Sequence, residues 1–193
     1  MKGALARVSR WRRALTVALV VVATGAAAGL AWATVNRDFL MLRFGVVTDN
    51  VLYRAKLLDA PALDALVHDN GIHTIVNLTT EDRPGDRDVA LARGAKYVWL
   101  PSTQVPPPEV VAGFLDVMRD PKNQPVLLHC EHGVGRTGAL VGVYRLEFEG
   151  AKIEDVLDEA RHYAIQGSFQ PGSPKTVFLE EYAKKLAERK AVR

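Results

Sequence analysis

Cysteine is nearly absent: Cys130 is the only one in 193 residues, so no disulfide can form within the chain. A lone thiol also has no partner cysteine to mispair with in an oxidising compartment, although oxidation to sulfenic acid would still inactivate it. Metal-ligand spacing is missing too. His68, His73 and His162 lie far apart on separate predicted elements and read as surface or packing residues. There is no internal repeat and no basic stripe interleaved with aromatics, which argues against nucleic-acid binding. The net charge of +3 misleads, because Lys2, Arg7, Arg10, Arg12 and Arg13 precede any acid; without them 20 basic residues face 22 acidic ones. With 48% hydrophobic residues the chain can hold one full domain and a short appendage.

Charge is absent altogether from Ala14 to Val35, a run that fills the ~20 positions needed to cross a bilayer. Three segments are therefore expected: a basic cytoplasmic tail over 1–13, a transmembrane helix or signal anchor over 14–35, and a catalytic domain over 36–193. Trp11 and Trp32 flank the run as interfacial aromatics would, and the basic cluster puts the domain on the extracytoplasmic side, periplasmic if the source is bacterial. Ala31-Trp-Ala33 also resembles a signal-peptide cleavage site, and secretion is the alternative. Gly25 and Gly29 have the small-xxx-small spacing of helix dimers, a spacing that alanine-rich spans often produce by chance.

What the chain does have is Val126-Leu-Leu-His-Cys-Glu-His-Gly-Val-Gly-Arg-Thr-Gly138, a predicted buried strand running into a glycine-bearing loop between Cys130 and Arg136. A thiol is a poor nucleophile at neutral pH unless a helix N-terminus or a nearby cation stabilises its thiolate. Apolar Leu140, Val143, Tyr144 and Leu146 predict a helix from Arg136 to Glu149 whose positive end points back at the cysteine. Gly133 and Gly135 allow the N–H groups of residues 131–135 (Glu131, His132, Gly133, Val134, Gly135) to turn inward around an oxyanion. Arg136 would close that cup with a bidentate fork. Thr137 can hydrogen-bond the departing sulfur, its plainer reading being a first-turn helix hydroxyl. His129 either orders the loop or is a buried structural histidine, and the rival for Cys130 is an inert core cysteine.

His129-Cys130-x5-Arg136-Thr137-Gly138 resembles the signature loop of the cysteine-based protein tyrosine phosphatases, in the dual-specificity branch and its bacterial members. Leu52-Tyr-Arg54, Gly71 to Leu78 followed by Glu81, Tyr97 to Pro101, and Tyr144-Arg145 resemble further landmarks of that branch, so the likeness covers about residues 44–165. The resemblance implies attack of Cys130 on phosphorus, stabilisation by Arg136 and the loop amides, hydrolysis of the thiophosphate by water, and no metal or other cofactor. It also suggests that Arg54 orients the loop, where a surface ion pair would explain that residue nearly as well. Rhodanese-type sulfurtransferases lack the Arg-Thr-Gly ending. Low-molecular-weight phosphatases and arsenate reductases carry their loop near the N-terminus, whereas here it follows two-thirds of the chain.

One departure matters. The family usually places an aspartate general acid on a mobile loop before the cysteine, and no aspartate stands between Trp99 and Asp116. Glu109 is the carboxylate there, with a helix N-terminal role as its rival; Asp82, Asp86 and Asp88 in the earlier loop are the other candidates. The expected activity is hydrolysis of phosphate monoesters on protein tyrosine, with serine and threonine as further targets and a phosphorylated protein as partner. The alternatives are a phosphate-binding module without turnover, and a phosphatase acting on nucleotides or other small phosphorylated molecules. The absence of lysine from the loop, with Glu131 beside the cysteine, argues against an inositide substrate.

Strand patterns over 74–78, 96–100 and 126–129 alternate with helix patterns over 61–70, 86–93, 109–119, 136–149, 153–164 and 175–189, and 46–54 reads as an edge strand or hairpin. This predicts an α/β fold: one small central sheet flanked by helices, of the tyrosine-phosphatase type. The stretch Gln166 to Pro174 reads as a plain connection, with rimming of the pocket as the other role.

Overall fold

A computed structural model describes residues 16–31, 43–164 and 167–191, and the chain divides into two units, Met1–Leu40 and Met41–Arg193. In the first unit, residues 16–31 form a helix with exposed side chains. Among the described residues no helix is long and apolar enough to cross a membrane. This corrects the expected span over 14–35 and, with it, the single-pass, extracytoplasmic placement built on that span. The basic residues 1–13, Trp11 and Trp32 lie outside the described residues. Gly25 and Gly29 meet nothing within 4 Å where a Cβ would stand.

The second unit is built on a five-stranded sheet of order β1-β2-β5-β3-β4. Its strands are β1 (Gly45–Thr48), β2 (Leu52–Lys56), β3 (Thr74–Asn77), β4 (Lys96–Trp99) and β5 (Val126–Cys130). The β1–β2 pair is an antiparallel hairpin, and β2, β5, β3 and β4 run parallel. Parallel neighbours require crossovers, here made by α1 (Ala60–Asp69), α2 (Pro84–Ala92), α3 (Pro108–Arg119) and a 3-10 turn at Pro121–Asn123. After β5 follow α4 (Gly135–Phe148), α5 (Ile153–Tyr163) and α6 (Pro174–Ala191). Local chemistry sets the ends: Asp59 caps α1 by accepting from the Ala62 N–H at 2.9 Å, and Gly71 turns the chain out of it at φ +57°.

Every residue of β5 is buried, as a central parallel strand covered on both faces must be. Alternation then sorts its side chains. Leu127 packs with Tyr53, Ala55, Ile75, Leu66 and Val89 in one cluster; Leu128 and Cys130 pack with Phe114, Leu140, Val143 and Leu179 in the other. The mixed sheet and its helical layers agree with the fold class read from the sequence.

His129 shows what this alternation does. It is only 2% exposed, and its Nε2 lies 3.5 Å from an Asp86 carboxylate oxygen of α2 that is equally buried. Burial, assisted by the charge of Arg83, pulls the His129 pKa down to about 4. Burial likewise pushes Asp86 up, against Arg83 and together with Asp82. Between about pH 6.5 and 4 the unfolded chain therefore binds more protons at His129 than the fold does, and stability drops as pH falls through that window. Asp86 acts in the opposite sense above its unfolded value of 3.8 and offsets part of the loss. Urea titrations from pH 7 to 4.5 are expected to show a net loss of about 2 kcal/mol or less, and His129→Gln is expected to flatten that slope relative to wild type.

Candidate active site

Cys130 ends β5 at the carboxyl edge of the parallel strands, where open α/β sheets gather ligands. The thiol is 1% exposed. Five residues later α4 is under way, so the chain between them must fold into a tight cup. Three of its carbonyls are committed elsewhere. Glu131 O accepts from Leu57 N at 3.2 Å, Gly133 O from the Arg54 guanidinium at 2.9 Å, and Val134 O from Gly138 N at 2.8 Å. In a planar trans peptide the next N–H points the opposite way, so the amides of His132, Val134 and Gly135 turn away from those partners, toward the concave side. No side chain caps α4, whose free N-terminal amides add to the same anion-attracting field.

Gly133 is required twice over. It sits at φ +66°, and a Cβ there would stand 2.7 Å from the backbone of Ala55 and Lys56. Thr137 is fully buried, and its hydroxyl has no hydrogen-bond partner among the described residues. Arg136 donates from Nη1 to Leu78 O at 3.0 Å and more weakly to Ser102 O at 3.5 Å, which fixes its plane against the ends of β3 and β4. Its other nitrogen lies 3.4 Å from the mostly exposed Glu131 carboxylate, a long contact that an incoming anion can replace. Cys130, residues 131–135, Arg136 and Thr137 thus lie together at the end of β5 and the start of α4, while His129 faces the opposite side of the sheet.

Two further cations converge here. Arg54 of β2 is fully buried, with its guanidinium 3.6 Å from the centre of the Tyr163 ring, so the surface ion-pair reading does not hold. Burial lowers its pKa to about 10, opposed by Tyr163, Glu159 and Cys130. Lys175, from the first turn of α6, is 9% exposed and donates to the Gln104 side-chain carbonyl at 2.8 Å. A Cβ on Gly135 would meet its Cε at 2.7 Å. Burial pulls the Lys175 pKa down, with Cys130 opposing and Arg136 assisting. The sequence offered no signal for Lys175 beyond a helix start after Pro174. Nor did it show that the 167–174 stretch sinks Phe169 into the core against Gly138 and so delivers α6 to the loop.

The four carboxylates named as acids are not gathered in this way. Asp86 is turned to His129. Asp82 accepts from Arg83 N at 2.8 Å, the Tyr97 hydroxyl at 3.1 Å and Arg87 at 2.7 Å. Asp88 is exposed on α2, and Glu109 is exposed in the first turn of α3.

Residues 48–173 match the family described as "PTP-NADK: DSP-PTPase phosphatase fused to NAD+ Kinase". The dual specificity protein phosphatase TpbA of Pseudomonas aeruginosa is 29% identical over 58% of this chain and 50% of that protein. Inositol diphosphatase DSP4 of Arabidopsis thaliana is 29% identical over 64% of each. The chain therefore spans between half and two thirds of these two relatives. Among solved structures, the core catalytic domain of the PP-IP phosphatase SIW14 from S. cerevisiae shares the fold, with a TM-score of 0.62 at 23% identity over 77% of this chain and 90% of that one. The TpbA structure gives a TM-score of 0.54 at 25% identity over 71% and 86%. With a family match that takes in both the sheet and the loop from Cys130 to Arg136, the chain belongs to the cysteine-based protein tyrosine phosphatase superfamily, in its dual-specificity branch.

Proposed function

We propose that this chain hydrolyses phosphate monoesters through a phosphocysteine at Cys130, with phosphotyrosine in proteins as the preferred substrate and phosphoserine or phosphothreonine as lesser ones. The observation that carries this reading is the cup itself. Three of its carbonyls are tied to partners outside the cup and the amides that follow them are left free, with a thiol at one end and a fixed guanidinium at the other. Sulfur attacks phosphorus, the P–S bond forms and the P–O bond to the leaving group breaks. The equatorial oxygens meet the amides of residues 131–135 and the fork of Arg136, which are aligned before the reaction begins. Water then attacks phosphorus and breaks the P–S bond, while the Thr137 hydroxyl donates to the departing thiolate.

A second reading has one observation in its favour: Arg54 and Lys175 bring positive charge to the same thiol, and some relatives are named inositol diphosphatases. A small, multiply phosphorylated substrate would suit that field. Glu131 and the lysine-free loop weigh against it. Parallel kcat/KM values on phosphotyrosine, phosphoserine and phosphothreonine peptides, an inositol diphosphate and a nucleoside monophosphate should be highest on phosphotyrosine; a clear preference for the inositol diphosphate would replace the first reading with the second.

Cys130→Ser should abolish turnover of p-nitrophenyl phosphate by the full chain, a loss of about 10³-fold or more. Binding without turnover in the wild type would leave only a phosphate-docking module. Arg136→Lys keeps the charge but not the fork and should lower kcat/KM by about 10²–10³. Gly133→Ala must displace either the loop or β2, and vanadate inhibition should weaken by about tenfold or more.

A further inference from the structure

Departure of a phosphotyrosine side chain needs a proton on its oxygen, because the phenolate is a poor leaving group at neutral pH. The loop that carries the family's aspartate has none here. What that loop does hold is a lysine: Gln104 accepts a 2.8 Å hydrogen bond from Lys175 Nζ. The same side chain lies along Gly135, with Cε 2.7 Å and Nζ 3.2 Å from where a Cβ would stand. A bulkier residue at 135 would expel it, so the bare glycine that serves the cup also admits the lysine.

We propose that Lys175 is the proton donor for the leaving group, a catalytic residue supplied by α6 in place of the missing aspartate. This rests on the phosphocysteine reading. As the P–S bond forms and the P–O bond breaks, one Nζ proton passes to the leaving oxygen and a neutral amine remains. In the second step that amine takes a proton from the water attacking phosphorus, and the ammonium is restored. Gln104 is a neutral acceptor that uses one of the three N–H bonds and leaves the charge unquenched.

Three groups set its titration: Cys130 at the end of β5 and Arg136 on α4 act on it by charge, while Gln104 holds it from the loop. Burial, the largest effect, and Arg136 both lower its pKa from 10.5, and Cys130 opposes them. An ammonium whose pKa is lowered is a stronger acid and gives up its proton more readily near neutral pH. The acid form is lost as pH rises, so the rate with a demanding leaving group should fall along a basic limb.

The test compares phenyl phosphate, which needs the proton, with dinitrophenyl phosphate, which does not. Each is followed against pH in the full chain as wild type, Lys175→Gln, Lys175→Arg, His132→Asn and Cys130→Ser, with thermal melting and vanadate affinity confirming folded, phosphate-binding protein. Lys175→Gln and Lys175→Arg should both lose about 10²–10³ on phenyl phosphate, far less on dinitrophenyl phosphate, and the basic limb with it. Arginine keeps the charge but cannot release its proton. Rescue by Lys175→Arg, equal losses on the two substrates, a basic limb that survives, or its disappearance in His132→Asn instead would each overturn the assignment. Turnover surviving in Cys130→Ser would sink the phosphocysteine reading itself, an outcome separate from those four.

Discussion

A five-residue loop can offer its backbone amides to an oxyanion only where its carbonyls are held elsewhere, and in this fold three of them are. Leu57 N, the Arg54 guanidinium and the first turn of α4 take the carbonyls of Glu131, Gly133 and Val134 in turn. Peptide planarity then leaves the intervening amides no choice of direction. β2 supplies Arg54 and leads directly to Leu57, so its pairing with β5 is as much a condition of the site as β5 itself. The contact of Gly133 with the backbone of Ala55 and Lys56 locks the two together.

The electrostatics follow from the same packing. Removing Arg54 from water costs free energy, visible in its lowered pKa, and stacking on Tyr163 together with one carbonyl acceptor offsets part of that cost. What remains is a strong local field beside the thiol, least screened because it is buried. Arg136, anchored by two carbonyls, and Lys175, anchored by Gln104, join Arg54 to make three cations drawn from three separate elements, β2, α4 and α6. Against this, the pairing of His129 with Asp86 lies across the sheet and serves the fold.

Much of the architecture was legible because each element carries its own signals. Pro61 stands in the first turn of α1, Gly71 closes it, and the continuous apolar run Val126 to Leu128 marks a strand buried on both faces. The loop was legible for the same reason, since cysteine, glycines, arginine and threonine are consecutive. The surroundings of the candidate carboxylates were not. Asp82 and Asp86 are near the right place in sequence, but hydrogen bonds with Arg87 and Tyr97 hold the one, and alternation along β5 turns His129 toward the other. An uncharged run from Ala14 to Val35 satisfied the length rule for a bilayer span, yet among the described residues no helix is long and apolar enough to cross a membrane.

Sequence alone determined the order of cysteine, glycines, arginine and threonine along the loop and the alternation of strands with helices, because these depend on residues adjacent in the chain, where spacing stands in for geometry. Only the tertiary structure decided the strand order, the burial of Arg54 behind Gly133, and the arrival of Lys175 over Gly135. Those contacts join residues separated by tens of positions, and what brings them together is the packing of Phe169 and Leu179 against α4, a long-range fit that no local pattern encodes.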